Sequence, residues 1–181
     1  MSDIQSELIE VKPEFMGFHK GDYPGAFPPR VEERIRLLVG SPCLHLFSGS
    51  SKIGDERIDL THKNATRNMD VYQFVLEDKQ NWKWVVLDPV YHLDAKHIKN
   101  TLKGYARFES VSGIVLYQRM LEDFMKLHAE NILWFDFTSP CPPEFYREKV
   151  WMYILGGYRH IRALTWLKRQ GIMLDMVQES V

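Results

Sequence analysis

The sequence predicts an α/β protein of three layers, in which helices cover both faces of a mixed β-sheet that ends in an antiparallel hairpin. Short apolar runs such as residues 84–87 have the length and β-branched content of buried parallel strands, and they alternate with amphipathic helical segments. Near the C-terminus, the strand-like runs 150–155 and 161–167 are joined by Gly156-Gly157-Tyr158-Arg159, which is typical of a hairpin turn. Together these features favour a single α/β/α sandwich.

The size and composition are those of one globular domain. The chain has 181 residues, 45% of them apolar and 13% aromatic, which is enough for one sizeable core. Residues 1–30 are rich in glycine, proline and aromatic residues, so we expect an arm or lid lying across a domain of residues 31–181. The formal net charge of -1 argues against a strongly basic body, so a nucleic acid would have to bind to a local patch.

Three features favour a cytoplasmic protein with no membrane partner. The first ten residues are acidic and polar, so we expect no signal peptide. The longest apolar run, residues 150–157, is far shorter than the ~20 residues of a membrane-spanning helix. Cys43 and Cys141 offer neither a disulfide framework nor metal-ligand spacing, which fits a reducing compartment.

Apolar spacing predicts the first helix and the first strands. Val31, Ile35 and Leu38 recur at helical spacing and indicate a short amphipathic helix. The compact apolar run 43–47 then leads into serine and glycine residues, as a buried parallel strand leads into a tight turn. Residues 57–60 predict a second short strand.

The middle of the chain predicts further alternation of helix and strand. Segment 70–76 fits either a strand edge or a helix start, and periodicity does not decide between them. Strand 84–87 ends at Pro89, because proline cannot continue the ladder of hydrogen bonds. Residues 94–102 predict a helix, and a strand is expected at 132–137. Between them a longer helix is indicated by a face that carries Tyr117, Leu121, Phe124 and His128.

Small and acidic residues stand at three predicted strand ends, which is where open parallel sheets bind ligands. Ser48-Gly49-Ser50 follows the first strand, and its small side chains let a ligand approach the backbone amides. Asp59 ends the next strand, where a carboxylate can accept hydrogen bonds from ribose hydroxyls. Asp88-Pro89-Val90-Tyr91 places a carboxylate, a rigid turn and an aromatic ring after an apolar strand. Each segment also fits an ordinary turn, a cap or a solvated acid.

Two of these segments resemble motifs of one enzyme family. Leu44-His45-Leu46-Phe47-Ser48-Gly49-Ser50-Ser51 resembles the glycine loop of class I S-adenosylmethionine-dependent methyltransferases, and Asp88-Pro89-Val90-Tyr91 resembles the Asp-Pro-Pro-Tyr box of the amino-methyltransferases. Those enzymes methylate the exocyclic amine of adenine or cytosine in nucleic acids. The resemblance runs from about Phe27 to Lys168. It implies a Rossmann-like fold, S-adenosylmethionine as cofactor, S-adenosylhomocysteine as product, and DNA as a more favoured partner than RNA.

The same resemblance implies two groups of site residues. The cofactor-binding residues are Phe47, Ser48, Gly49, Ser50, Asp59 and Asp70. The catalytic residues are Asp88, Pro89 and Tyr91. In this assignment the glycine loop passes along the methionine part of the cofactor, while Asp59 holds its ribose and Asp70 accepts from its adenine amine. Asp88 and the carbonyl of Pro89 align the target amine, and Tyr91 stacks on the extruded base.

Two departures from the family pattern leave alternatives open. Val90 stands where the box has its second proline, which loosens the turn that fixes the acceptor carbonyl. Residues 52–56 are also too few for the crossover of roughly ten or more residues that usually joins parallel strands. One alternative is a catalytically silent module that binds nucleic acid or a partner subunit. Another is methylation of a small molecule or a protein, and a homodimer is one way to hold substrate without a recognition domain.

The other chemistry-bearing residues predict mostly structural roles. The histidines do not gather at metal-ligand spacing, so we predict no metal site, and His45 fits a core residue with its hydrogen bonds made. Packing is the default role for Trp82, Trp84, Trp134, Trp151 and Trp166. Either a solvated face or phosphate contacts would suit Arg159, Arg162, Lys168 and Arg169.

Overall fold

In a computed structural model of the chain, the residues described are 14–15, 27–89, 111–155 and 160–171. They form an α/β fold built on one eight-stranded mixed sheet. Its strands are β1 (Glu14–Phe15), β2 (Cys43–Leu46), β3 (Glu56–Asp59), β4 (Arg67–Asn68), β5 (Trp82–Leu87), β6 (Ala129–Asp136), β7 (Phe145–Leu155) and β8 (His160–Arg169). The helices of this part of the chain are α1 (Pro29–Leu38), α2 (Val71–Glu77) and α3 (Val111–His128).

The sheet has the order β1-β7-β8-β6-β5-β2-β3-β4. Strands β2 to β6 pair in parallel with one another, β8 lies antiparallel between β6 and β7, and β1 pairs in parallel with β7. From β2 the chain first adds β3 and β4 on one side and then β5 and β6 on the other, so the strand order reverses between β2 and β5. The predicted mixed sheet and the antiparallel pairing of its last two strands, β7 and β8, are therefore confirmed.

Two apolar clusters of the described residues cover opposite faces of the sheet. Successive side chains of a strand point to opposite faces, and Leu44 lies in one cluster while Cys43 lies in the other. Helices α2 and α3 pack into the first cluster, and α1 packs into the second through Val31 and Ile35. Fully burying one such aliphatic side chain contributes about 1.5–3 kcal/mol, which accounts for the apolar spacing of these helices.

Most predicted elements correspond to observed ones. The first helix begins at Pro29, a residue type suited to the first turn, so part of the predicted arm is helical. The ambiguous segment after Asp70 is the helix α2, because the Asp70 carboxylate accepts a hydrogen bond of 2.8 Å from the amide of Tyr72. The predicted helix 94–102 and the hairpin turn 156–159 lie outside the described residues.

The predicted core tryptophans divide into two groups. Trp82, Trp84 and Trp134 are buried, as expected. Trp151 and Trp166 are only partly buried against the second cluster, so the core assignment holds less well for them. Of the helices described here, none is long and apolar enough to cross a membrane.

The connection between β2 and β3 is short and non-helical. Residues 47–55 return along the sheet, and the amide of Asp55 donates to the carbonyl of Cys43 at 2.8 Å. Ile53 packs into the second cluster, on the face that also carries α1. Gly54 has φ 95°, and a Cβ there would lie 3.2 Å from the carbonyl oxygens of Cys43 and Glu56. The expectation that this connector is too short for a helix is confirmed.

Candidate functional site

The three predicted site segments leave neighbouring strands at the same edge of the sheet. Leu46, the last residue of β2, pairs with Ile58 of β3 on one side and with Leu87 of β5 on the other. Since all three strands are parallel, the glycine segment, Asp59 and Asp88 emerge side by side. The structure thus brings together residues that are 10 to 40 positions apart in the sequence.

The reversal of strand order between β2 and β5 is where a ligand cleft is expected at this edge. After β2 the connector packs with Ile53 on the face of the second cluster. After β5 the chain reaches β6 through α3, whose Leu121 and Phe124 belong to the first cluster on the other face. Connections that diverge to opposite faces leave a crevice between the two strand ends, and open α/β sheets bind ligands in such crevices.

The glycine segment makes a sharp turn directly after β2. Phe47 and Gly49 both have positive φ angles, 59° and 50°. Glycine adopts this conformation freely, whereas phenylalanine has a cost of about 1–2 kcal/mol. The ring of Phe47 packs edge-to-face on Tyr72 at 5.9 Å and helps to hold the turn. Such local strain is concentrated at ligand-binding turns, so it supports a functional role for this segment.

Ser48 has a buried hydroxyl group with an unmet hydrogen-bonding requirement. Its Oγ has no hydrogen-bond partner among the described residues, although its backbone amide donates to the carbonyl of Ile58 at 3.0 Å. Buried polar groups in native proteins are nearly always paired with protein, water or ligand. An orphaned hydroxyl at the switch point therefore fits a site that a polar ligand completes.

Asp59 links the turns that leave β2 and β3. One carboxylate oxygen accepts from the amide of Gly49 at 3.0 Å, and the other accepts from the amides of Thr61 and His62 at 3.0 and 2.8 Å. A carboxylate offers about four acceptor positions, and these three bonds alone use most of them. Asp59 is thus a brace for the glycine turn as well as a predicted cofactor ligand.

Further hydrogen bonds join the turn after β3 to the turn after β2 and to β4. The Asn64 side chain donates to the carbonyl of Ser50 at 2.7 Å, and the Asn68 side chain donates to the carbonyl of His62 at 2.9 Å. Asp70 caps α2 at the same edge, which is the capping role that the sequence analysis gave as an alternative. Its contact with an adenine stays a prediction.

Asp88 is buried and makes an ion pair with Arg162. The guanidinium Nη2 donates to the carboxylate at 2.5 Å, and the two side chains are only 9% and 3% exposed. The same guanidinium lies over the ring of Phe135 at 3.8 Å and near Phe137 at 5.4 Å. The sequence prediction that Arg162 faces solvent or phosphate is therefore wrong, because β8 places it at the strand end beside Asp88.

A second carboxylate that the sequence analysis missed lies at the end of β6. Burial raises the pKa of Asp136, against hydrogen bonds from the amides of Phe137 and Thr138 and the nearby charge of Arg162. The sequence does contain a pattern that indicates this residue, because Asp136 ends an apolar strand run just as Asp88 follows one. The edge of the sheet thus holds two carboxylates around one guanidinium.

His45 lies below this edge, in the middle of β2. It is fully buried and stacks on Phe27 at 5.3 Å. Its Nδ1 lies 3.2 Å from the carbonyl of Ile53 and therefore carries the proton, whereas Nε2 has no hydrogen-bond partner among the described residues. Burial lowers the pKa of the ring to about 4, so the imidazole is neutral. The prediction that His45 is a core residue with its hydrogen bonds made is therefore right about burial and wrong about Nε2.

The other predicted basic residues are committed to local contacts or lie outside the described residues. Lys168 pairs with Glu148 at 3.4 Å, and Arg169 donates to the backbone carbonyls of Ala129 and Met125. Arg159, Val90 and Tyr91 lie outside the described residues, so the predicted phosphate and base-stacking contacts stay predictions. Within the described ranges, no three His, Cys, Asp or Glu side chains are grouped closely enough to hold a metal ion.

No protein-family model matches the sequence, and no curated protein matches it.

Proposed function

We propose that this chain is an S-adenosylmethionine-dependent methyltransferase that acts on the exocyclic amine of a nucleic-acid base, with DNA adenine as the favoured target. The observation that carries the proposal is the shared position of the glycine turn and Asp88 on paired strands, at the point where the strand order reverses. A donor and an acceptor bound at these two turns are neighbours. Such proximity supplies most of the acceleration that methyl transfer requires.

The fold that we infer is the three-layer, Rossmann-like sandwich of that family. Counted from β2, the parallel strands follow the order 3-2-1-4-5 of doubly wound nucleotide-binding sheets. The packing of α1 and of α2 with α3 in separate apolar clusters supports a layer on each face. The antiparallel β8 agrees with the terminal hairpin that the resemblance implies.

The cofactor half of the cleft is built from the turn after β2 and its neighbours. The positive φ of Gly49 lets the backbone pass close to a ligand, and the orphaned hydroxyl of Ser48 is suited to a polar group of the methionine part. Asp59 holds this turn in place, and the family resemblance assigns the ribose contact to the same carboxylate. S-adenosylmethionine, when bound, supplies a sulfonium methyl whose bond to sulfur breaks as the acceptor nitrogen's lone pair bonds to it, with one proton then released to water.

The acceptor half of the cleft begins at Asp88. Its carboxylate is held by Arg162 in a buried position at the strand end, where it accepts a hydrogen bond from the target amine. The carbonyl of Pro89, also buried, provides the second acceptor. Two acceptors directed at one amine fix the nitrogen so that its lone pair faces the methyl donor. Because a paired base cannot reach the cleft, the substrate is a flipped or single-stranded nucleotide.

Calorimetry and methyl incorporation test this proposal. We expect saturable binding of S-adenosylmethionine and of S-adenosylhomocysteine by the wild type, and transfer of labelled methyl to oligonucleotides that contain adenine. Asp88→Asn should reduce the transfer about 100-fold, since it removes a charged acceptor from the target. Asp123→Asn is the matched control, because Asp123 is exposed on α3. Absence of both heat and incorporation in the wild type would contradict the proposal.

A second candidate is a silent methyltransferase-like module that binds nucleic acid or a partner subunit. Two observations favour it: the helix-free connector before β3 and the engagement of Asp88 by Arg162. This module would bind an oligonucleotide with the same affinity in the presence and absence of S-adenosylmethionine. A rise of the melting temperature with increasing S-adenosylmethionine would exclude it.

A further inference from the structure

We propose that Arg162 is a positioning residue for Asp88: a guanidinium from β8 fixes the acceptor carboxylate beside a turn that lacks the second proline of the family box. This inference rests on the proposed function. In this role Arg162 orients the acceptor carboxylate and does not contact the methyl donor.

The geometry of the sheet explains how this arginine reaches the carboxylate. β8 adjoins β6, and β6 adjoins β5, so the side chain of Arg162 crosses one strand, about 10 Å between β8 and β5, to meet Asp88. Phe135 of the intervening strand lies beneath the guanidinium at 3.8 Å, which fixes the plane of the group. The antiparallel insertion of β8 is what brings the start of that strand to the carboxyl edge.

The need for such a brace follows from the sequence of the box. Asp88-Pro89-Val90-Tyr91 has one proline, and valine does not restrict φ as proline does. A buried carboxylate that must present a defined face to an amine therefore requires another constraint. The short ion pair with Arg162 supplies one, and it also offsets the cost of burying the charge of Asp88.

The test must separate positioning from simple support of the fold. Arg34 provides a matched control, because its guanidinium also pairs with a carboxylate, Glu14 at 2.6 Å, and lies over an aromatic ring, Trp151 at 5.1 Å. Full-length wild type, Arg162→Met, Arg162→Lys and Arg34→Met are compared. Melting temperature, calorimetric Kd for S-adenosylmethionine, and kcat and KM for an adenine-containing oligonucleotide are measured at a temperature where every variant is folded.

We expect Arg162→Met to lower kcat about 100-fold, the effect of a displaced acceptor, with the Kd for S-adenosylmethionine within threefold of wild type. Arg162→Lys should recover about tenfold of that loss, because it restores the charge without the planar fork. Arg34→Met should lower the melting temperature and leave kcat unchanged. If Arg162→Met does not fold, the fall in kcat of Arg162→Lys decides the matter.

Three negative outcomes are distinguishable. Wild type that binds S-adenosylmethionine and transfers methyl, together with an Arg162→Met or Arg162→Lys variant whose kcat is unchanged, overturns the positioning role alone. A parallel fall in kcat and in affinity for S-adenosylmethionine also overturns it, since that pattern indicates a general loss of structure. Wild type with no binding and no transfer overturns the proposed function and this role with it.

Discussion

Removal of the Asp59 carboxylate is expected to destabilise the folded protein even when no ligand is bound. Asp59 is buried and accepts hydrogen bonds from the amides of Gly49, Thr61 and His62. Gly49 is itself buried, so in Asp59→Ala its amide loses its partner at a cost of about 1–3 kcal/mol. Thr61 is exposed and His62 half-buried, so water replaces much of those two bonds, at about 0.5 kcal/mol each.

The expected loss for Asp59→Ala is therefore about 3 kcal/mol. Asp59→Asn keeps one carbonyl oxygen for two amides but turns its NH2 group toward the third donor, so its expected loss is about 2 kcal/mol. Urea unfolding monitored by tryptophan fluorescence measures both free energies. Asp123→Ala, an exposed change on α3, should lie within about 0.5 kcal/mol of wild type.

Hydrogen exchange at the Gly49 amide provides a local measurement of the same bond. Protection should fall in both Asp59 variants, and saturating S-adenosylmethionine should restore part of it if the cofactor binds the braced turn. At 100 times Kd, the ligand should stabilise the wild type by about 2.7 kcal/mol. A loss below about 1 kcal/mol in Asp59→Ala, with unchanged exchange at Gly49, would refute the brace.

Three further predictions concern the face of the sheet below the site. The pKa of His45, lowered by burial to about 4, lies below the ordinary 6.5, so protonation favours the unfolded chain and stability falls as the pH drops from 6.5 toward 4. Between pH 8 and pH 5, wild type should lose about 2 kcal/mol more than His45→Gln by urea unfolding, and equal losses would contradict this. Burial raises the pKa of the Cys43 thiol to about 12. Ellman's reagent should therefore react with Cys141 in the native protein and with Cys43 only after unfolding. Prompt reaction of both thiols in the native protein would contradict the burial of Cys43. Gly54→Ala should destabilise by about 2 kcal/mol through its φ of 95°, whereas a variant as stable as wild type would show that the connector adopts another path.

Local patterns were sufficient for most elements of the fold. Strands β2 and β5 were identified from short, mostly apolar runs, because a strand buried on both faces carries apolar side chains at most positions. The hairpin of β7 and β8 was evident from two such runs flanking a glycine pair. Segment 70–76 was undecided, because its helical state depends on the cap that Asp70 provides and on burial of Phe74 against α3.

Individual residues of the candidate site were predictable from the sequence, but their hydrogen-bond partners were not. Ser48, Gly49, Asp59 and Asp88 were identified because small or acidic residues stand out where apolar strands end. Asp136 follows the same rule and was missed, since no motif drew attention to it. The partners of these residues are backbone amides and distant side chains, which a residue-by-residue pattern does not contain.

The sequence by itself determined most of the described strands and helices and which strand ends carry polar groups, because these properties depend on side chains within a few positions of each other. Tertiary structure alone decided that Arg162 meets Asp88 across 74 residues, and that the carboxylate of Asp59 is used to hold the glycine turn. The physical reason is strand order: insertion of β8 beside β6, and of β2 between β3 and β5, is set by packing over the whole sheet.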